Sequence, residues 1–190
     1  YTLNDVVYVI GSYWKQRFLV KNAATGNHQF MDKQWNRMTD KWEPYGQKND
    51  WETQCATCHA TGFRLVSYDP AKPQEQKWSM SEHNIGCEAC HGPGAQHVKA
   101  PNKKTIYSFA GKSVEQQSLV CGYCHIRGEN HKFKTAQGND TEYLPAPKVG
   151  DTYKPGDDWR KWYPSEAVIP GVHAEDKIDA AYEGDLKGMF

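Results

Sequence analysis

Aliphatic residues are scarce in this chain. Hydrophobic residues of every kind make up only 38% of its 190 positions, and mean hydropathy is -0.86, which leaves little apolar material to offset the entropy of ordering a polypeptide. Net charge is absent as well, with 23 basic against 23 acidic side chains, so nucleic acid and an anionic membrane surface lose support as the main partner. No apolar run is long enough to span a bilayer, and no charged-then-apolar leader opens the chain; no transmembrane segment is expected. The first residue is Tyr1 rather than Met, and the expectation is that a targeting segment has been removed or that the true N-terminus lies upstream. Cysteine is sparse too, and none falls outside one repeated pattern.

That pattern is "CATCH" at 55–59, "CEACH" at 87–91 and "CGYCH" at 121–125, which together use all six cysteines and three of the eight histidines. In c-type haem attachment two thiols add to the two vinyl groups of the macrocycle and the adjacent His becomes an axial iron ligand. Cysteines at i and i+3 lie on one face of a helical turn, so both sulfurs reach one porphyrin edge. Zinc is the rival reading, since CxxC pairs also supply tetrahedral thiolate sites, and disulfides are the other. Neither explains a His directly after the second Cys in three pairs out of three. The expected cofactors are therefore three haem c groups, attached through Cys55 and Cys58, Cys87 and Cys90, and Cys121 and Cys124, with His59, His91 and His125 as proximal iron ligands.

Composition agrees. Aromatic residues reach 13%, with seven Trp and eleven Tyr, whereas disordered chains are poor in them. Flat side chains without matching Leu, Ile and Val point to flat apolar groups, not encoded in the sequence, that complete the core. Each macrocycle exceeds a Trp, which buries roughly 150–250 Å², so at ~25 cal/mol per Å² a haem contributes several kcal/mol. The haem-free chain is expected to fold poorly.

Three segments follow from texture, read as one integrated domain. Residues 1–50 form a β-rich flank: "DVVYVIGSYWKQRFLV" is rich in β-branched and aromatic residues and breaks at Gly11-Ser12, with a second break at Thr25-Gly26-Asn27, which predicts a small hairpin or three-stranded meander. Residues 51–135 form the core with the three attachment sites, 32 and 34 residues apart counting from Cys55 through Cys87 to Cys121. Short helices bracket those sites, one of them in "SVEQQSLVCGYCH" capped by Ser113 with Glu115 and Gln116 in its first turn; the connections, such as "YDPAKPQEQKW", read as loop. Residues 136–190 are polar and Pro-rich and read as an extended wrapping segment, with a short helix in "AEDKIDAAYEGDLKGMF". The fold class expected is thus a mostly irregular and α-helical multihaem cytochrome c, its short helices surrounding a haem stack beside a small N-terminal β meander.

Each iron has a second axial position. Candidate distal ligands are His97, His131, His173, His28 and His83, with Met31, Met38, Met80 and Met189 as a thioether option that ranks lower because Met more often fills gaps. His97 and His131 each stand six residues after an iron-binding His, too near the proximal side of their own haem, and are expected to serve a neighbouring one. Five spare histidines for three irons make bis-His ligation feasible throughout, which favours electron transfer over an open iron.

At "HNIGCEACHGPGAQHV" the sequence resembles the multihaem cytochromes c related to the tetrahaem cytochromes of nitrifiers, in which a GCExCHGPGxxHV motif is common. "YVIGSYWKQRFLV", "WNRMTDKWEPY" and "CATCHATGF" extend the resemblance over most of the chain. It implies that the Gly92-Pro93-Gly94 turn after His91 presents His97 as a distal ligand, and that relatives carry further attachment sites, so that this chain is expected to be part of a longer polypeptide or to dock on another haem subunit. The function expected is electron transfer by three haems acting as a relay between redox partners, these being other cytochromes or a membrane-bound complex, in the periplasm or at the cell surface. Two alternatives stand beside it: a multihaem reductase or oxidase of small nitrogen or sulfur compounds, which needs an exchangeable iron position, and a haem-bearing subunit of a membrane complex or extracellular filament.

Overall fold

The structure, a computed structural model, describes residues 1–46, 50–72, 75–125, 129–134, 140–142 and 149–158, with 129–134 and 140–142 described by their backbone. After a 3-10 turn at Leu3–Asp5, the β-branched and aromatic opening pairs into an antiparallel sheet whose four strands follow chain order: β1 (Val6–Ile10), β2 (Lys15–Lys21), β3 (His28–Asn36) and β4 (Lys41–Pro44). The turns fall at the expected breaks. Gly11 adopts φ +83, and a Cβ there would sit 2.5 Å from the Lys15 carbonyl oxygen, so only glycine fits that corner.

The expected meander gains a fourth strand. Asp40 reverses the chain in the left-handed region (φ 55), Trp35 then stands opposite Trp42, and the two rings meet edge-on at 5.3 Å. Such cross-strand aromatic pairs contribute roughly 0.2–1 kcal/mol.

The core sits between this sheet and the first attachment site. Ile10, Leu19 and Phe30 come from the strands, and Trp51, Ala56, Ala60, Phe63 and Leu65 from the segment that follows. Two one-turn helices lead in, α1 (Trp51–Gln54) and α2 (Ala56–His59). Asp50 caps α1: its carboxylate accepts from the Thr53 N–H (3.0 Å), the Thr53 hydroxyl (2.8 Å) and the Asn27 amide (2.9 Å). Trp51, fully buried, meets Phe30 edge-on at 5.8 Å. Ala56 and Ala60 are four residues apart and buried together in the core, Cys55 packs against the edge of that core, and Cys58 is half-buried beside it.

A short hairpin of β5 (Arg64–Ser67) and β6 (Lys77–Ser79) follows, then α3 (Cys87–His91), α4 (Ala95–Lys99) and α5 (Val114–Gly122). The backbone of β7 (Glu129–Lys134) pairs with that of β8 (Asp140–Glu142). Ser113 caps α5 as expected, accepting from Gln116 N–H (3.2 Å) while the Gln116 side chain accepts from Ser113 N–H (3.0 Å), a reciprocal capping box. The five helices among the described residues are short, and strands hold more of those residues than helices do, so the expected weighting toward α structure is not what these residues display. Of the 136–190 segment, 149–158 lies along the hairpin: Gly150 N–H donates to Leu65 O (2.7 Å) and the Thr152 hydroxyl to Phe63 O (2.9 Å). The expected C-terminal helix lies outside the described residues.

Candidate haem-attachment site

Each CxxCH stands on a helical turn. His59 N–H donates to Cys55 O (3.1 Å) and His125 N–H to Cys121 O (3.0 Å), and the second site is itself helix α3. The thiols of a pair therefore share a face, as attachment of one macrocycle requires. Cys87, Cys90 and Cys121 are exposed; Cys55, Cys58 and Cys124 are half-buried, and none of the six is in a disulfide. Among the described residues no three His, Cys, Asp or Glu side chains converge to hold a bare metal ion.

Thr61 ties the first site to the second. Fully buried after α2, its hydroxyl donates to Asn84 O (2.7 Å) and accepts from Gly86 N–H (2.8 Å), the N-cap of α3. Asn84 in turn donates to Val9 O (3.0 Å) and accepts from Gly11 N–H (2.9 Å), which anchors the link to the sheet.

The third site meets both others. The Cys58 and Cys124 thiols are hydrogen-bonded to each other; the bond, together with burial, pushes the Cys58 thiol well up, and the same bond lowers that of Cys124 against the opposing effect of its burial. Partial burial, then the nearby Cys121 and Cys124, raises Cys90. A cavity of about 140 Å³ is lined from all three turns: Thr57 from the first, Ala89 and Gly92 from the second, Tyr123 and Cys124 from the third. Tyr153 also lines it, stacked on Tyr123 at 4.0 Å. His59 is held toward its neutral form by burial and by the Arg17 and His125 charges, and neutral imidazole is the form that ligates a metal.

The second site accounts for its own motif. Gly92 ends α3 at φ +72, in the left-handed region that favours glycine. Glu88 reaches over the turn to accept from Gly94 N–H (2.7 Å), and a Cβ on Gly94 would lie 3.1 Å from that oxygen. The chain then enters α4, which carries His97. His91 is clamped twice by Tyr107: the Tyr107 N–H donates to His91 O (2.9 Å), and His91 Nδ1 lies 2.8 Å from Tyr107 O. A ring Nδ1–H given to a carbonyl leaves Nε2 as the ligating nitrogen. His97 has the same arrangement, its Nδ1 3.2 Å from both Asn102 O and the Thr105 hydroxyl. His91 and His97 line one cavity of about 500 Å³ with Tyr107 and Phe109.

Among the other spare histidines, His28 is bonded through Nδ1 to Glu52 (2.5 Å), and His83 stacks on Tyr8 at 3.4 Å, its pKa lowered by burial and by His28. The two rings lie 6.1 Å apart and nearly perpendicular. His131 falls in β7, where the backbone alone is described, and His173 lies outside the described residues, as does Met189. Met31 is buried, Met38 is 60% exposed and Met80 packs against the core. Sequence reasoning missed Glu52, Thr61, Glu88 and Tyr107. Glu88 was visible inside the quoted motif; the other three act over 16 to 25 residues of sequence and leave no local signal.

The residues present fit covalently bound haem: paired thiols on one face of a turn, a His after each, and Nδ1 of His91 already committed to a carbonyl. The family model described as cytochrome c554 and c-prime matches residues 12–92. Cytochrome c-554 of Nitrosomonas europaea is 26% identical over 165 residues, covering 80% of this chain and 63% of that protein. The C-type polyheme cytochrome OmcB of Geobacter sulfurreducens is 28% identical over 147 residues, 75% of this chain and 17% of its own length. Among solved structures, the outer cell wall cytochrome OcwA matches 88% of this chain and 34% of its own, at 27% identity and a TM-score of 0.61. The chain spans less than two thirds of the length of each of these relatives.

Proposed function

From the premise that this chain is a multihaem c-type cytochrome related to the tetrahaem cytochromes of nitrifiers, we propose that it is an electron relay of three haem c groups serving other redox proteins. The observation that carries this reading is the meeting of the three attachment turns around one cavity of about 140 Å³, lined by Thr57, Ala89, Gly92, Tyr123 and Cys124, with the Cys58 and Cys124 thiols hydrogen-bonded to each other. Sulfurs this near one another bring the edges of the groups they bond within short reach, which is what passage of single electrons needs.

Bound haem supplies the one-electron iron couple. The chain's own residues do the rest. The thiols of Cys55 and Cys58, Cys87 and Cys90, and Cys121 and Cys124 hold the macrocycle edges, and His59, His91 and His125 ligate from the proximal side. Tyr107 fixes His91 by its carbonyl. His97, fixed by Asn102 and Thr105, and His28, fixed by Glu52, are the distal ligands favoured by their tethered Nδ1 atoms. Packing by Tyr123, Tyr153, Tyr107 and Phe109 excludes water and thereby tunes the potentials.

Covalent haem loading through free thiols belongs to an exported protein, so the location proposed is the periplasm or the cell surface, with other cytochromes as partners. No described helix is long and apolar enough to cross a membrane. Potentiometric titration followed in the Soret and α bands tests the reading. Three one-electron, low-spin components are expected; a high-spin component that binds cyanide or nitrite in the untreated protein moves the reading to an enzyme of small nitrogen or sulfur compounds.

A further inference from the structure

A cavity of about 470 Å³ opens between the β2–β3 turn, α1 and β6, and no cysteine lines it. Its chemistry is specific. Glu52, with its side chain only 8% exposed, grips His28 at two points, accepting from the backbone N–H (2.9 Å) and from Nδ1 (2.5 Å). That leaves Nε2 as the one ring nitrogen free to bind, and Tyr8 packs edge-on against the ring at 5.4 Å.

Gln76 lines the same cavity; it is 8% exposed, and both polar atoms of its side chain are buried without a partner. The indole Nε1 of Trp78, another lining residue, is likewise buried and unpaired. Buried polar groups are almost always satisfied, so two side chains of one lining with unpaired polar atoms call for a polar group supplied from outside. Lys21 and Lys77 add positive charge to the lining. A metal-seeking imidazole, two side chains with orphaned N–H groups and two cations in one lining match a ligand that carries both a metal and carboxylates.

We propose that this cavity receives the carboxylate-bearing edge of one of the chain's haems, that His28 is an axial ligand to its iron, and that Glu52 is the positioning residue that fixes His28 for it. The inference rests on the reading of the chain as a haem carrier. Glu52 sets the ring tautomer and, as an anionic acceptor, strengthens the imidazole as a donor to iron. Gln76 and Trp78 take the carboxylate end.

The test uses the haem-loaded full chain and its variants H28A, E52A, E52Q and Q76L, read by EPR and potentiometry, with haem content measured after denaturation. H28A is expected to turn one haem high-spin. E52A is expected to change the EPR signature of that same haem and raise its midpoint potential while the others stay in place. E52Q keeps an acceptor for the His28 N–H, guards against a folding failure, and is expected to move the same potential by less. Q76L should shift that potential and no other. Low-spin haems unchanged in H28A overturn the ligand assignment; an effective H28A with silent E52A and E52Q overturns the role of Glu52; and a silent Q76L overturns the carboxylate subsite. Denatured protein without covalently held haem marks a different failure, that of the functional reading itself.

Discussion

Replacing Asp50 with Ala should loosen the junction between the sheet and the first attachment turn. Asp50 caps α1, the helix that runs straight into Cys55, and also holds Asn27 at the start of β3. Loss of a side-chain N-cap costs about 1 kcal/mol. The Thr53 hydroxyl and Asn27 amide each lose an acceptor, at about 1 kcal/mol apiece. Some of this is offset, because burial raises the Asp50 pKa and keeping it ionised is unfavourable. The net expectation is a loss of about 2 kcal/mol, or about 4–8 °C in Tm for a domain of this size. Thermal melts of the haem-loaded protein, followed by Soret circular dichroism and by calorimetry, measure it directly. D50N, which keeps the cap and removes the charge, should lose less than half as much. A D50A protein that melts within about 1 °C of wild type would refute the claim that this cap holds the first site to the sheet.

His97→Ala should convert one haem from low to high spin, removing about a third of the low-spin EPR intensity if three irons are present; an unchanged spectrum removes His97 from the ligand set. His83 gives a pH dependence of defined sign. Burial and the nearby His28 lower its pKa from the ordinary 6.5, so the unfolded chain binds the proton more readily than the folded one. Its contribution is fully present above about pH 6.5 and is lost as pH falls through the folded pKa. The stability of wild type measured by chemical denaturation should fall on acidification below that point, and H83Q should flatten the slope; parallel slopes in the two proteins contradict the assignment.

The parts of the molecule legible in the sequence are those set by local chemistry. The i and i+3 cysteines give helical turns, Gly11 and Gly26 give the first two reversals, and Ser113 with Gln116 gives the cap of α5. β4 was not legible because its four residues contain a single large apolar side chain, Trp42, and form a strand only by pairing Trp42 with Trp35 across the Asp40 turn. The β5–β6 hairpin reads as loop for the same reason: "RLVS" and "KWS" are too short to show a period, and their pairing is fixed by distant contacts such as Leu65 with Trp78. In the candidate site, the thiol and imidazole groups proposed as ligands stand out in CxxCH, while their orientation does not. Glu52 lies 24 residues from His28, and Tyr107 lies 16 from His91, separations at which no pattern in the sequence records a hydrogen bond.

The most direct test is the mass of the polypeptide after denaturation and acid-acetone extraction, taken together with the absorption of the extracted chain. Three covalently bonded haems predict a coloured polypeptide heavier than 21.7 kDa by three haem masses. A colourless chain at its bare mass would contradict the account at its root.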